Sequence, residues 1–185
     1  MVEAFLAALN PRWRPLPEVP VRTPARGSID LVLADGVDLV LVACEFQSQL
    51  RRPEQALRWS NEKAEALRQT DVYAMASSSS PGVRPAVRRV LVVRSTVATR
   101  AVVRELPALF AAAYPAPPAA AVGAIRSGSD WPGDSLLWMH VHGRKATLMA
   151  DWPPELRSLA PRSGPAGGRR PGGRSPAPPA PGPRG

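Results

Sequence analysis

The spacing of apolar positions changes along the chain, and each change predicts an element. Val2, Phe5, Leu6 and Leu9 recur at helical spacing and stop at Asn10-Pro11, which predicts a helix over 2–9. Residues 13–21 are broken by Pro15, Pro17 and Pro20 and read as extended chain, at best an edge strand. Over 28–34, Ile29, Leu31 and Leu33 fall on one face of a strand and Asp30 on the other. Asp35-Gly36-Val37-Asp38 has turn chemistry. The apolar run Leu-Val-Leu-Val-Ala-Cys over 39–44 then predicts a strand buried on both faces.

Pro53 suits the first turn of a helix running to about Gln69, with Ala56, Leu57, Ser60, Ala64 and Leu67 as its buried stripe. Residues 77–82 form a loop, and 87–93 a second buried strand. Ser95 or Thr96 caps a helix reaching Pro107 or slightly beyond. An Ala/Pro-rich connector leads to a short strand over 122–126 and a loop over 127–135. A hairpin of 136–142 and 146–150 turns at Gly143-Arg144. The order α, β, β, β, α, β, α, β predicts an α/β fold, a mixed central sheet flanked by helices.

Composition sets the limits of that domain. Residues 162–185 hold seven prolines, seven glycines and five arginines, with no acidic or aromatic residue. Such a segment buries too little apolar surface to offset its ordering entropy, so the expectation is one domain over 1–160 and a disordered basic tail over 161–185. The net charge is +9, of which the tail supplies +5. That excess suits a polyanion partner, but arginine amid Ala, Pro and Gly is also what a GC-rich coding sequence produces. A lone Cys44 excludes an internal disulfide and a thiolate zinc cage. The start has no basic region of a secretory signal, and prolines interrupt the apolar stretch over 106–122, so a cytoplasmic protein without a membrane span is expected.

Three polar residues sit where strand logic disfavours them. Asp30 interrupts a strand, while Glu45 and Gln47 end the most apolar one. A four-residue loop over 35–38 pairs Ala34 with Leu39 and sets Asp30 opposite Ala43, with Glu45 its diagonal neighbour on the same face. A two-residue loop keeps the face but moves the carboxylates apart, and an odd loop separates the faces. Two carboxylates from adjacent strands suit Mg²⁺, which takes few protein ligands and keeps several waters; the Phe46 carbonyl is a candidate third oxygen. Such an ion lowers the pKa of a bound water and offsets charge building on a phosphodiester.

Gly27-Ser-Ile-Asp30 followed by Val42-Ala-Cys-Glu45-Phe-Gln47 resembles the PD-(D/E)XK, or restriction-endonuclease-like, superfamily. Its pattern is an Asp on one strand and Glu-x-Lys on the next. Gln55-x-x-x-Trp59 is similar to the Gln-x-x-x-Tyr motif of some of these nucleases. Together with Trp13-Arg-Pro-Leu-Pro-Glu-Val-Pro-Val21, the pattern resembles the C-terminal domain of bacterial helix-turn-helix regulators, here as a free-standing or shortened form. The resemblance spans about residues 1–93 and implies an α-β-β-β-α-β core. It implies Asp30 and Glu45 as Mg²⁺ ligands, and Gln47, in the usual lysine position, as the residue that orients water. Lys63 on the following helix is then the candidate relocated lysine. Arg51, Arg52, Gln55 and Arg58 are the candidate DNA-binding residues.

Two functions follow. One is a nucleic-acid-binding, Mg²⁺-dependent phosphodiesterase acting on DNA. The other is a catalytically inactive nuclease-fold module with a regulatory, DNA-binding or dimerisation role, as a homodimer or beside a helix-turn-helix partner. The same residues also have plainer readings. Glu45 would pair with Arg51 or Arg52, Trp59 would pack, Cys44 would be inert core, and the arginines would face solvent.

Overall fold

A computed structural model describes residues 1–37, 39–79 and 82–161, so the expected tail lies, from residue 162 on, outside the described residues. A six-stranded mixed sheet runs in the order β1-β2-β3-β4-β5-β6. Strands β1 (Arg14–Val21), β2 (Gly27–Asp35) and β3 (Val40–Gln47) form an antiparallel meander. Strands β4 (Ala86–Arg94) and β5 (Ser135–His142) continue it in parallel, and β6 (Lys145–Leu148) pairs antiparallel with β5. The three prolines of β1 fall on an edge strand, where a missing N–H is tolerated.

Helices cover both faces. On one, Leu31, Leu33, Val42, Cys44, Val90 and Val92 pack with Phe5 of α1 (Val2–Leu6) and with Ala121, Ala124 and Ile125. On the other, Val32, Leu41 and Ala43 meet Ala64 and Leu67 of α2 (Pro53–Leu67). Leu91, Val93 and Trp138 on that face meet Leu57 of α2 and two further helices, α4 (Val97–Glu105) through Val103 and α5 (Pro107–Ala113) through Phe110. Each buried aliphatic side chain contributes roughly 1.5–3 kcal/mol, and the two-sided cover explains why β3 and β4 read as continuous apolar runs. The Tyr114 hydroxyl donates to Ser60 Oγ at 3.0 Å, tying the middle of α2 to the end of α5.

Several expectations are corrected. Residues 122–126 are not a strand; they lie in α6 (Pro118–Ser127), whose Ala121, Val122, Ala124 and Ile125 are buried at helical spacing. The alanine-rich sequence and Pro118 in the first turn outweigh the β-branched Val122 and Ile125. A helix α3 (Asp71–Ser78) follows α2, started by Thr70, whose Oγ1 accepts the Tyr73 N–H at 3.4 Å. It has no fully buried residue, so its apolar stripe is weak. The first helix ends at Leu6, and a 3-10 turn spans Pro154–Leu159. Strand β3 ends at Gln47, so Glu45 and Gln47 close it as expected. Among the described residues no single helix is long and apolar enough to cross a membrane.

Candidate active site

The site begins with the β2–β3 hairpin. Asp35 pairs with Val40, so four residues separate the paired ends, and that even number puts Asp30 and Glu45 on one face, as expected. The register differs from expectation: Ala43 faces Val32, not Asp30. The paired ladder ends at Leu31 and Cys44, one step short of Asp30 and Glu45. The physical cause of the shifted register is Arg12. Its guanidinium donates Nε and Nη2 to Asp35 Oδ2 at 3.1 and 2.6 Å, holding Asp35 in the strand and moving the turn by one residue. Asp35 Oδ1 accepts the Val37 N–H at 3.0 Å, and Leu39 takes a positive φ of 51° to close the loop.

Asp30 reaches across the ladder, its Oδ2 accepting the Phe46 N–H at 2.8 Å. Glu45, with Leu41 and Ala43, points to the face covered by α2, and its side chain is only 9% exposed. Lys63 Nζ donates to Glu45 Oε2 at 2.6 Å. The other oxygen, Oε1, is buried with no hydrogen-bond partner. Burial pushes the Glu45 carboxyl up to about 7, and the Asp30 charge acts in the same direction; Lys63 and the Asp30 backbone N–H pull it down without cancelling the burial.

Gln55, Trp59 and Lys63 lie four residues apart on α2 and form one row along the helix. That row is one wall of a cleft of about 560 Å³ whose lining includes Asp30, Glu45 and Gln47. Arg51 and Arg52 stand exposed at its rim, with Arg51 Nε donating to Gln49 Oε1 at 2.7 Å. The cleft thus gathers every sequence-derived candidate except Arg58. That residue faces solvent and pairs with Glu62 at 3.8 Å, one turn along α2.

Two plainer readings are corrected here. Glu45 pairs with Lys63, not with Arg51 or Arg52, because it points under α2 while the arginines precede the helix. Trp59 is only half covered: it is 52% exposed and lines the cleft. Gln49 was not anticipated, and a polar residue in a loop after a strand carries no signal of its own. Cys44 is buried on the opposite face, and burial raises its thiol, consistent with inert core.

The donor set can be tested against a divalent cation. An enclosed carboxylate oxygen lacking a donor is the partner such an ion would satisfy, and Asp30 lines the same cleft, close enough to act on the Glu45 charge. Among the described residues no group of three or more His, Cys, Asp and Glu side chains is arranged to hold a metal, so any ion here would use two carboxylates, backbone or water oxygens. Mg²⁺, which keeps several waters, fits that set. No protein-family model matches the chain, and no curated protein or solved structure is significantly similar to it.

Proposed function

We propose that the chain is a nuclease-like domain whose cleft binds nucleic acid and hydrolyses phosphodiesters with Mg²⁺. The observation carrying this reading is the buried, partnerless Oε1 of Glu45 beside Asp30, at the floor of a cleft rimmed by Arg51 and Arg52. The chain order α1, β1, β2, β3, α2, β4, with α3 as an additional helix between α2 and β4, supports a restriction-endonuclease-like core. Asp30 and Glu45 would hold the ion, which when bound lowers the pKa of water and offsets phosphoryl charge. Gln47, two residues past Glu45 on the same strand face, has a side-chain amide able to donate to and accept from a water. Lys63 fixes the Glu45 rotamer and places in the cleft the positive charge that glutamine cannot supply. The arginines bind backbone phosphates, and Gln55 offers an amide to a sugar or base edge.

Thermal melting tests the ion site. MgCl₂ raises the melting temperature of wild type by mass action and leaves Asp30→Asn unmoved. Equal shifts, or none, sink the metal reading. One observation favours a second reading, an inactive regulatory or dimerisation module: the Lys63 ammonium already occupies Glu45 Oε2, as a cation would. In that case Gln47→Lys, which restores the superfamily residue, gives no cleavage.

A further inference from the structure

We propose that the cleft takes a nucleic-acid strand carrying an unpaired base, and that Trp59 is the platform on which that base stacks. The proposal rests on the nucleic-acid reading of the same cleft and specifies its substrate class. Five tryptophans are present, and four have structural work. Trp13 donates Nε1–H to the Ala124 carbonyl at 2.8 Å, and Trp131 packs edge-on against it at 5.5 Å. Trp138 and Trp152 are buried edge to face at 6.1 Å. Trp59 alone is exposed.

Its helix buries Leu57, Ser60, Ala64 and Leu67, whereas Trp59 stands on the row between Gln55 and Lys63. Trp59 is therefore about 6 Å along the helix axis, at the backbone, from Lys63, the residue that grips Glu45. A lone exposed tryptophan on a flat surface needs no explanation. This one lines a cleft with carboxylates on its floor, arginines at its rim, and the amides of Gln47, Gln49 and Gln55 around it. Arginines provide for the phosphates, amides for base edges, and the ring face for a base. In a duplex both faces of each base are covered by its neighbours. A base can meet Trp59 only if it is single-stranded or turned out of the stack.

The test measures binding in EDTA, so that cleavage plays no part. The probes are a fluorescein-labelled oligothymidylate of about twelve nucleotides, within the usual site sizes of single-strand binders, the same length as duplex, and the same length as an abasic strand. Because Trp59 is half-exposed, Trp59→Ala and Trp59→Phe should fold, which circular dichroism checks. The expected result is tighter binding of oligothymidylate than of duplex. Trp59→Ala then loses about 5- to 150-fold on oligothymidylate with no change on the abasic strand, and Trp59→Phe keeps most of the affinity. Oligothymidylate should also quench the wild-type tryptophan emission but not that of Trp59→Phe. Equal losses on both single strands, or none, while wild type still binds, would overturn the stacking assignment and leave the nucleic-acid reading standing. Failure of wild type to bind any probe at low salt would overturn both.

Discussion

Replacing Lys63 by methionine removes the ammonium and keeps most of the apolar stem, so the penalty should depend steeply on pH. Glu45 ionises near 7 in the folded protein against an ordinary value near 4.5. A carboxyl raised on folding contributes stability below its unfolded value and loses that contribution as pH climbs through the folded one; for Glu45 the whole span is about 3 kcal/mol. At about pH 5.5 the folded carboxyl is protonated, and Lys63→Met removes one hydrogen bond, about 1 kcal/mol. At about pH 8.5 the wild-type carboxylate is ionised opposite Lys63, and the variant must keep a proton or bury an uncompensated charge. The extra penalty is about 1.5 pH units at 1.36 kcal/mol each, about 2 kcal/mol. The total of about 3 kcal/mol sits at the low end for breaking a buried ion pair, in keeping with a Lys63 side chain that is 18% exposed. Urea unfolding of both proteins at the two pH values reads the difference directly. In thermal melts it appears as a further loss of about 4–8 °C at the higher pH. Titration of exposed groups is common to both proteins and cancels. A loss equal at both pH values to within about 0.5 kcal/mol would refute the coupling of Lys63 to Glu45.

Three further outcomes are expected. Asp134→Ala should destabilise by about 3 kcal/mol, because Asp134 accepts Arg89 Nε and Nη2 at 2.8 and 2.7 Å and the Arg89 N–H at 2.8 Å; a loss under about 1 kcal/mol in chemical unfolding would show that the pair is merely a surface contact. Trp152→Phe should cost more than Trp138→Phe. The Trp152 Nε1–H serves the Leu136 carbonyl at 3.1 Å, whereas Trp138 Nε1 is buried without a partner and its removal relieves that penalty; the reverse order in thermal melts would contradict this. Because the ion must displace the Glu45 proton, Mg²⁺ affinity by calorimetry should rise about tenfold per pH unit below 7 and level off above it; a flat profile would remove Glu45 from the ligand set.

The central strands were legible from local period. Alternation and the two-sided apolar run placed β2, β3 and β4, and the parity of an even loop put Asp30 and Glu45 on one face. The exact register was not legible, because it depends on Arg12 holding Asp35 across 23 residues of sequence, a tertiary contact with no local signature. The exposure of Trp59 was readable in principle. The stripe through Leu57, Ser60, Ala64 and Leu67 points away from it, and only the general tendency of tryptophan to pack argued otherwise. The partner of Glu45 was obscured for a geometric reason. Arg51 and Arg52 are nearer in sequence, but Lys63 lies on the helix face turned toward the sheet. Helix α6 was hidden by the prolines that precede it, which mark its start rather than preclude it.

The most direct test of the account is strand cleavage. The purified chain is incubated with labelled single-stranded, duplex and branched DNA in millimolar Mg²⁺ at a pH above the Glu45 value, beside Asp30→Asn and Glu45→Gln. Mg²⁺-dependent product is expected from wild type, strongest on substrates with unpaired bases, abolished by EDTA and absent in both variants. Wild type that leaves every substrate intact, or variants that cut as well as wild type, would contradict the nuclease reading.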